Sequence, residues 1–344
     1  RWAAIGVAIG LVCPLAARAK KPNKPPSGDL HLVELHPSAD QYASARSIND
    51  AGIVVGGVDG IPGFWNAREA APTFVPLRGG EGVAFSINED GEIVGWGPNG
   101  PSYWASRHAD PVDLPMPTNA TYGWANGISL DGVVVGEVGL RNDDDTVTNW
   151  AVAWRIHDLG VFGPVLLSVG GANDVACVAP GLHLAVGRSA DVDFGHVATA
   201  WDLELDPDGS FTFTGSTNVA PGHSAEAYAI TDAGDMTGIV KWGGGIENTA
   251  FVIRNGSLIL LSSGGNNEYG VGYDLNDAEV VGKTGRWWLS NTMTATQWNS
   301  RNKRQDLVRK YFGYGWPNTS AEGIIAAGEV VGFGTLGAWL LRRE

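Results

Sequence analysis

A short signature, Ala-x-x-Ile-Asn-x-x-Gly-x-Val-Val-Gly, recurs along this chain and restricts its fold more than any other feature. Its fullest copy is Ala45–Gly56. The first apolar position and closing glycine of seven copies are Ile48/Gly56, Ile87/Gly95, Ile128/Gly136, Val175/Gly187, Ile230/Gly238, Leu275/Gly282 and Ile324/Gly332. Five copies share a spacing of eight residues, the fourth has twelve and the sixth has seven. An alanine stands three residues before the apolar position in six copies, and Gly272 replaces it in the sixth. Repetition at a fixed spacing through 344 residues means an array of like units rather than one large core.

Each part of the signature has a physical meaning. Asn49-Asp50-Ala51-Gly52 has Asn at the first turn position and Gly at the fourth, the chemistry of a hairpin that closes on a left-handed residue. The β-branched run Ile53-Val54-Val55 suits a buried strand. In the sixth copy Glu279 takes the place of the turn glycine, which predicts a tighter hairpin. A second element follows each hairpin, a small residue and then a large apolar one: Pro62/Trp65, Pro101/Trp104, Ala151/Trp154, Ala198/Trp201, Ala250/Ile253, Ala295/Trp298 and Ala338/Leu341. One such large residue per unit, tryptophan in five of the seven, predicts packing between units rather than a ligand cage. Short outer strands follow, such as 74–77, 112–114 and 258–261.

The repeat length is about 46 residues with roughly four strands in each, the content of one propeller blade. The 49 glycines and 14 tryptophans fit many short strands joined by tight turns. The seventh unit ends without an outer strand, and Leu30–Leu35 is a strand without a unit. The expectation is an all-β fold, a seven-bladed β-propeller over residues 29–344 whose N-terminal strand closes the last blade.

The combined pattern resembles the HAF-repeat family of probable extracellular bacterial proteins, named for a His-Ala-Phe triplet after the hairpin. Here the triplet survives in part as Thr249-Ala250-Phe251, and His196 lies two residues before Ala198. The resemblance implies secretion and a repeat fold, and it brings no catalytic residues with it.

The first residues agree with export. An apolar run from Trp2 to Ala17 ends in Ala17-Arg18-Ala19, a small-x-small cleavage pattern, so residues 1–19 read as a signal peptide. Residues 20–28, with three prolines, read as a linker. Removing residues 1–19 takes away Arg1 and Arg18 and moves the net charge from -14 to -16. So acidic a protein repels nucleic acid and anionic lipid, and neither is expected as a partner. The expected product is a secreted monomer, with a carbohydrate or a cell-surface protein as partner. Cys177, in an apolar run, reads as a core residue.

Two groups of loop residues are candidates for binding. Asp143, Asp144 and Asp145 in the third repeat, with Asp191 and Asp193 in the fourth, occupy equivalent loops and are candidate ligands for Ca²⁺, which takes six to eight oxygens. Trp242, Trp287, Trp288, Tyr311, Tyr314 and Trp316 fall in or beside later connections, where aromatic rings can stack on sugars. The chain has no Gly-x-Ser-x-Gly elbow, His-Glu-x-x-His motif or phosphate loop. The leading expectation is therefore a non-enzymatic binding scaffold without a cofactor. The alternative is a polysaccharide hydrolase or lyase with acidic residues at a channel mouth. In either case the signature itself reads as scaffold, and function is expected where copies differ.

Overall fold

The computed structural model describes residues 29–35, 41–157, 160–206, 208–241, 248–263, 269–286, 293–312, 318–335 and 337–343. The expected signal peptide and linker lie outside them. The fold is all-β and propeller-like, built as six antiparallel sheets among the described residues. No helix among these residues is long and apolar enough to cross a membrane.

Four sheets hold four strands each, in chain order, and each corresponds to one repeat. The third and fourth repeats share a seven-stranded sheet, because Gly160–Ala179 is one continuous strand of 20 residues. Its first half pairs with Val147–His157 and its second half with Leu182–Asp191. The remaining sheet contains the last three strands and the N-terminal strand Leu30–Glu34, which pairs antiparallel with Gly337–Arg343. Leu32 lies opposite Leu341, so the spare strand completes the last sheet as its sequence predicts.

The hairpins follow their turn residues. Gly52, Gly91, Gly132, Gly234 and Gly328 have φ between 78° and 83°, the left-handed conformation that favours glycine. The sixth hairpin is one residue shorter. The Asn276 N–H donates to the Glu279 carbonyl, whereas the Asn49 N–H reaches Ile53. The Asn of the signature also fastens one repeat to the next. Asn49 Nδ2 donates to the Asn88 carbonyl at 3.1 Å, Asn88 Nδ2 to Ser129 at 3.0 Å, and Asn276 Nδ2 to Ile325 at 2.9 Å.

Seven apolar clusters lie among the described residues, each spanning two repeats. One of them joins Ala45, Val54 and Trp65 of the first repeat to Val331, Ala338 and Leu340 of the last. The large residue after each hairpin always lies opposite the residue two before the closing glycine, as Trp65 does to Val54 and Trp298 to Val280. Trp104, Trp154 and Trp298 donate to carbonyls just past the preceding repeat's outer strand: Arg78, Pro115 and Ser262. These rings are packing elements between repeats, as expected. Cys177 is likewise buried.

Candidate functional site

The inner strand of every repeat breaks register at the same position of the signature, and those of the third and fourth repeats break it once more elsewhere. The shift falls between Ala45 and Ser47 in the first repeat, and between Ala84/Ser86, Ala125/Gly127, Ala172/Asp174, Ala227/Ala229, Gly272/Asp274 and Ala321/Gly323 in the others. Such a bulge adds one residue, bends the strand and re-aims a side chain. It also explains the closing glycine. A Cβ at any of the seven would lie 1.8–2.1 Å from the carbonyl oxygen of the residue before the repeat's alanine (or Gly272), closer than atoms can approach.

The bulged residues are Arg46, Phe85, Asn126, Asn173, Tyr228, Tyr273 and Glu322, and all seven are half-buried. They converge on a single cavity of about 390 Å³ to which every repeat contributes. The cavity therefore arises inside the signature, at the positions written x. The signal in the sequence is that these positions carry the widest chemical variety within an otherwise fixed motif.

Two carboxyls stand out in the lining. Asp174 Oδ2 accepts the Ile230 N–H at 2.9 Å, and Asp274 Oδ2 accepts the Ile324 N–H at 2.8 Å. Burial pushes both up to about 7, against the effect of these backbone bonds, and the Asp174 charge adds to the rise at Asp274. Burial also raises the Tyr228 and Tyr273 hydroxyls, with carboxylates nearby adding to it. The two rings meet edge to face at 5.3 Å.

Above the bulges a charged network ties three repeats together. Arg188 bonds Glu137 at 2.8 Å and Glu226 at 2.7 Å. Asn173 Nδ2 and the Tyr228 hydroxyl also donate to Glu226, and Asn149 Nδ2 donates to Glu137. Burial lifts the Glu137 carboxyl despite Arg188. At Arg188 burial acts downward, but the two carboxylates outweigh it and raise the guanidinium.

The expected acidic ligands point elsewhere. Asp144 accepts from the Thr146 backbone and hydroxyl, Asp145 pairs with Arg141, and Asp191 accepts the Asp193 and Phe194 N–H groups. The Asp144 and Asp191 carboxylates thus cap their own turns. Asp143, Asp144, Asp145, Asp191 and Asp193 do not gather into a ligand set among the described residues, where one grouping of metal-ligand type occurs, Asp131, His183 and Cys177. In it His183 Nε2 and Asp131 Oδ1 are already bonded to each other at 2.7 Å. Burial raises Asp131, but the bonds from His183 and Ser129 and the Arg155 charge outweigh that and lower it. Of the aromatic candidates, Tyr311 packs against the core cluster around Trp339 and under the Lys310 ammonium. Trp242, Trp287, Trp288, Tyr314 and Trp316 lie outside the described residues.

No family model and no curated protein matches this chain. Among the solved structures that are similar, three show how low the likeness is. A protein from Lactobacillus plantarum is 16% identical over 76% of this chain and 82% of its own, with a TM-score of 0.40. A puromycin hydrolase mutant complexed with PGG is 13% identical over 90% and 44%, with a TM-score of 0.39. Porphyromonas gingivalis dipeptidyl peptidase 4 is 9% identical over 82% and 56%, with a TM-score of 0.38. The chain spans about half the length of the latter two. The latter two are by name a hydrolase and a peptidase, so the expectation, drawn from missing motifs, that this chain is no enzyme is withdrawn. Likeness this low carries no activity from them to this protein.

Proposed function

We propose that this chain is a closed seven-bladed propeller of the HAF-repeat kind, acting outside the cytoplasm. Its cavity would bind a small, hydroxyl-rich ligand of sugar type. The observation that carries this reading is the convergence of seven chemically different bulged residues on one cavity. The apolar cluster between the last and first repeats supports closure of the ring. A volume of about 390 Å³ falls within the range of small-molecule sites, about 300–1,000 Å³. Phe85, Tyr228 and Tyr273 offer ring faces, and Asn126, Asn173 and the two Asp carboxyls offer hydrogen bonds.

Calorimetric titration with a panel of mono- and disaccharides tests it, using wild type and Phe85→Ala. At least one sugar is expected to bind, with affinity falling on the order of tenfold in the variant. Failure of the whole panel, or binding indifferent to Phe85, overturns the proposal. A second reading, glycoside cleavage, is favoured by Asp174 and Asp274. A carboxyl poised near neutral pH can give or take a proton in a pocket. Product analysis on the same panel tests it, and cleavage that survives Asp174→Asn and Asp274→Asn rules out these two residues.

A further inference from the structure

A second pocket of about 400 Å³ adjoins the cavity and shares Arg46, Tyr273 and Glu322 with it. We propose that this side pocket holds a carboxylate, and hence that the ligand of the cavity is an acidic sugar rather than a neutral one. The inference rests on the cavity reading for the sugar but on separate residues for the acid.

The pocket brings two cations, Arg46 and Lys283, against one carboxylate, Glu322, in a chain whose net charge is -14. Arg46 Nη1 lies 3.5 Å from Glu322, and its guanidinium sits 4.5 Å over the Phe333 ring, which fixes its plane. Its Nε is buried with no hydrogen-bond partner. Lys283 has no carboxylate within ion-pair distance among the described residues. Its ammonium lies 5.1 Å from the centre of the Tyr273 ring. The Ser320 hydroxyl is also buried without a partner, in a residue only 5% exposed.

Buried donors without acceptors are costly, and two donors of this kind, with the Lys283 ammonium beside them, line one pocket. Two cations against one carboxylate leave a single positive charge, which matches a monoanion. Burial, reinforced by Arg46 and opposed by Glu322, holds the Lys283 ammonium below its ordinary range. An entering carboxylate would lift it again.

Titration of D-glucuronate, D-glucose and acetate at constant ionic strength, in buffer free of other carboxylates, tests the pocket in wild type, Lys283→Met and Lys283→Arg. Glucuronate is expected to bind wild type on the order of tenfold more tightly than glucose. Lys283→Met is expected to erase that preference and Lys283→Arg to keep it. Thermal melts of the variants identify any loss of folding. Equal binding of the two sugars to wild type overturns the carboxylate pocket and leaves the cavity reading intact. Acetate binding that depends on Lys283, with no sugar bound, sustains the pocket and overturns the sugar. Absence of both glucuronate and acetate binding overturns the pocket outright.

Discussion

Asp174 and Asp274 join neighbouring inner strands through a backbone N–H, yet burial holds their carboxyls near pH 7. The native state thus keeps protons that the unfolded chain, with values near 3.8, has released. Their contribution to stability is complete below about pH 4 and is lost as pH rises to about 7. Subtracting the urea midpoints of an Asp174→Asn/Asp274→Asn double variant from those of wild type isolates this effect, because Asp131 shifts the other way. The difference is expected to fall between pH 4 and 7, and a rise across that window contradicts the assignment. Neither aspartate stood out in the sequence. Position and burial give them their character, and both depend on a bulge that only strand pairing reveals. The alanines, isoleucines and glycines of the signature were legible because the backbone imposes them in every copy. The lining residues vary from copy to copy and read as noise. The exposed Asp143–Asp145 run drew notice by charge density, although Asp144 and Asp145 bond to residues of their own hairpin.

The inner hairpin is the element that the signature encodes, and its closing glycine has a different role from its turn glycine. The turn needs a left-handed backbone, whereas the closing position needs an absent Cβ. Gly136→Ala would drive its methyl to 1.9 Å from the Trp124 carbonyl oxygen, and only backbone movement relieves that. The expected loss is about 3 kcal/mol in denaturant unfolding, and a loss below about 1 kcal/mol would show that the bulge yields. Gly91 gives the contrast, since a Cβ there meets nothing within 4 Å and only its φ of 83° resists substitution. The turn glycine's role was legible in the sequence from its neighbours, whereas the closing glycine's depends on a bulge that only strand pairing reveals.

For the molecule as a whole, the N-terminal strand is the junction between the two ends of the chain. Leu35 is 2% exposed in the same cluster as Trp65 and Leu340, so residues 29–35 seal the contact between last and first repeats. Deleting them is expected to lower the melting temperature on the order of 10 °C by calorimetry. An unchanged melt contradicts the sealing role. The strand Gly160–Ala179 has the opposite character, for it interposes no loop between the third and fourth repeats. Its first residues pair with the strand that ends at His157, and its later ones, Asn173 and Asp174, lie at the cavity. A partner gripping Gly160 would therefore act on the groups that line the cavity through one continuous strand.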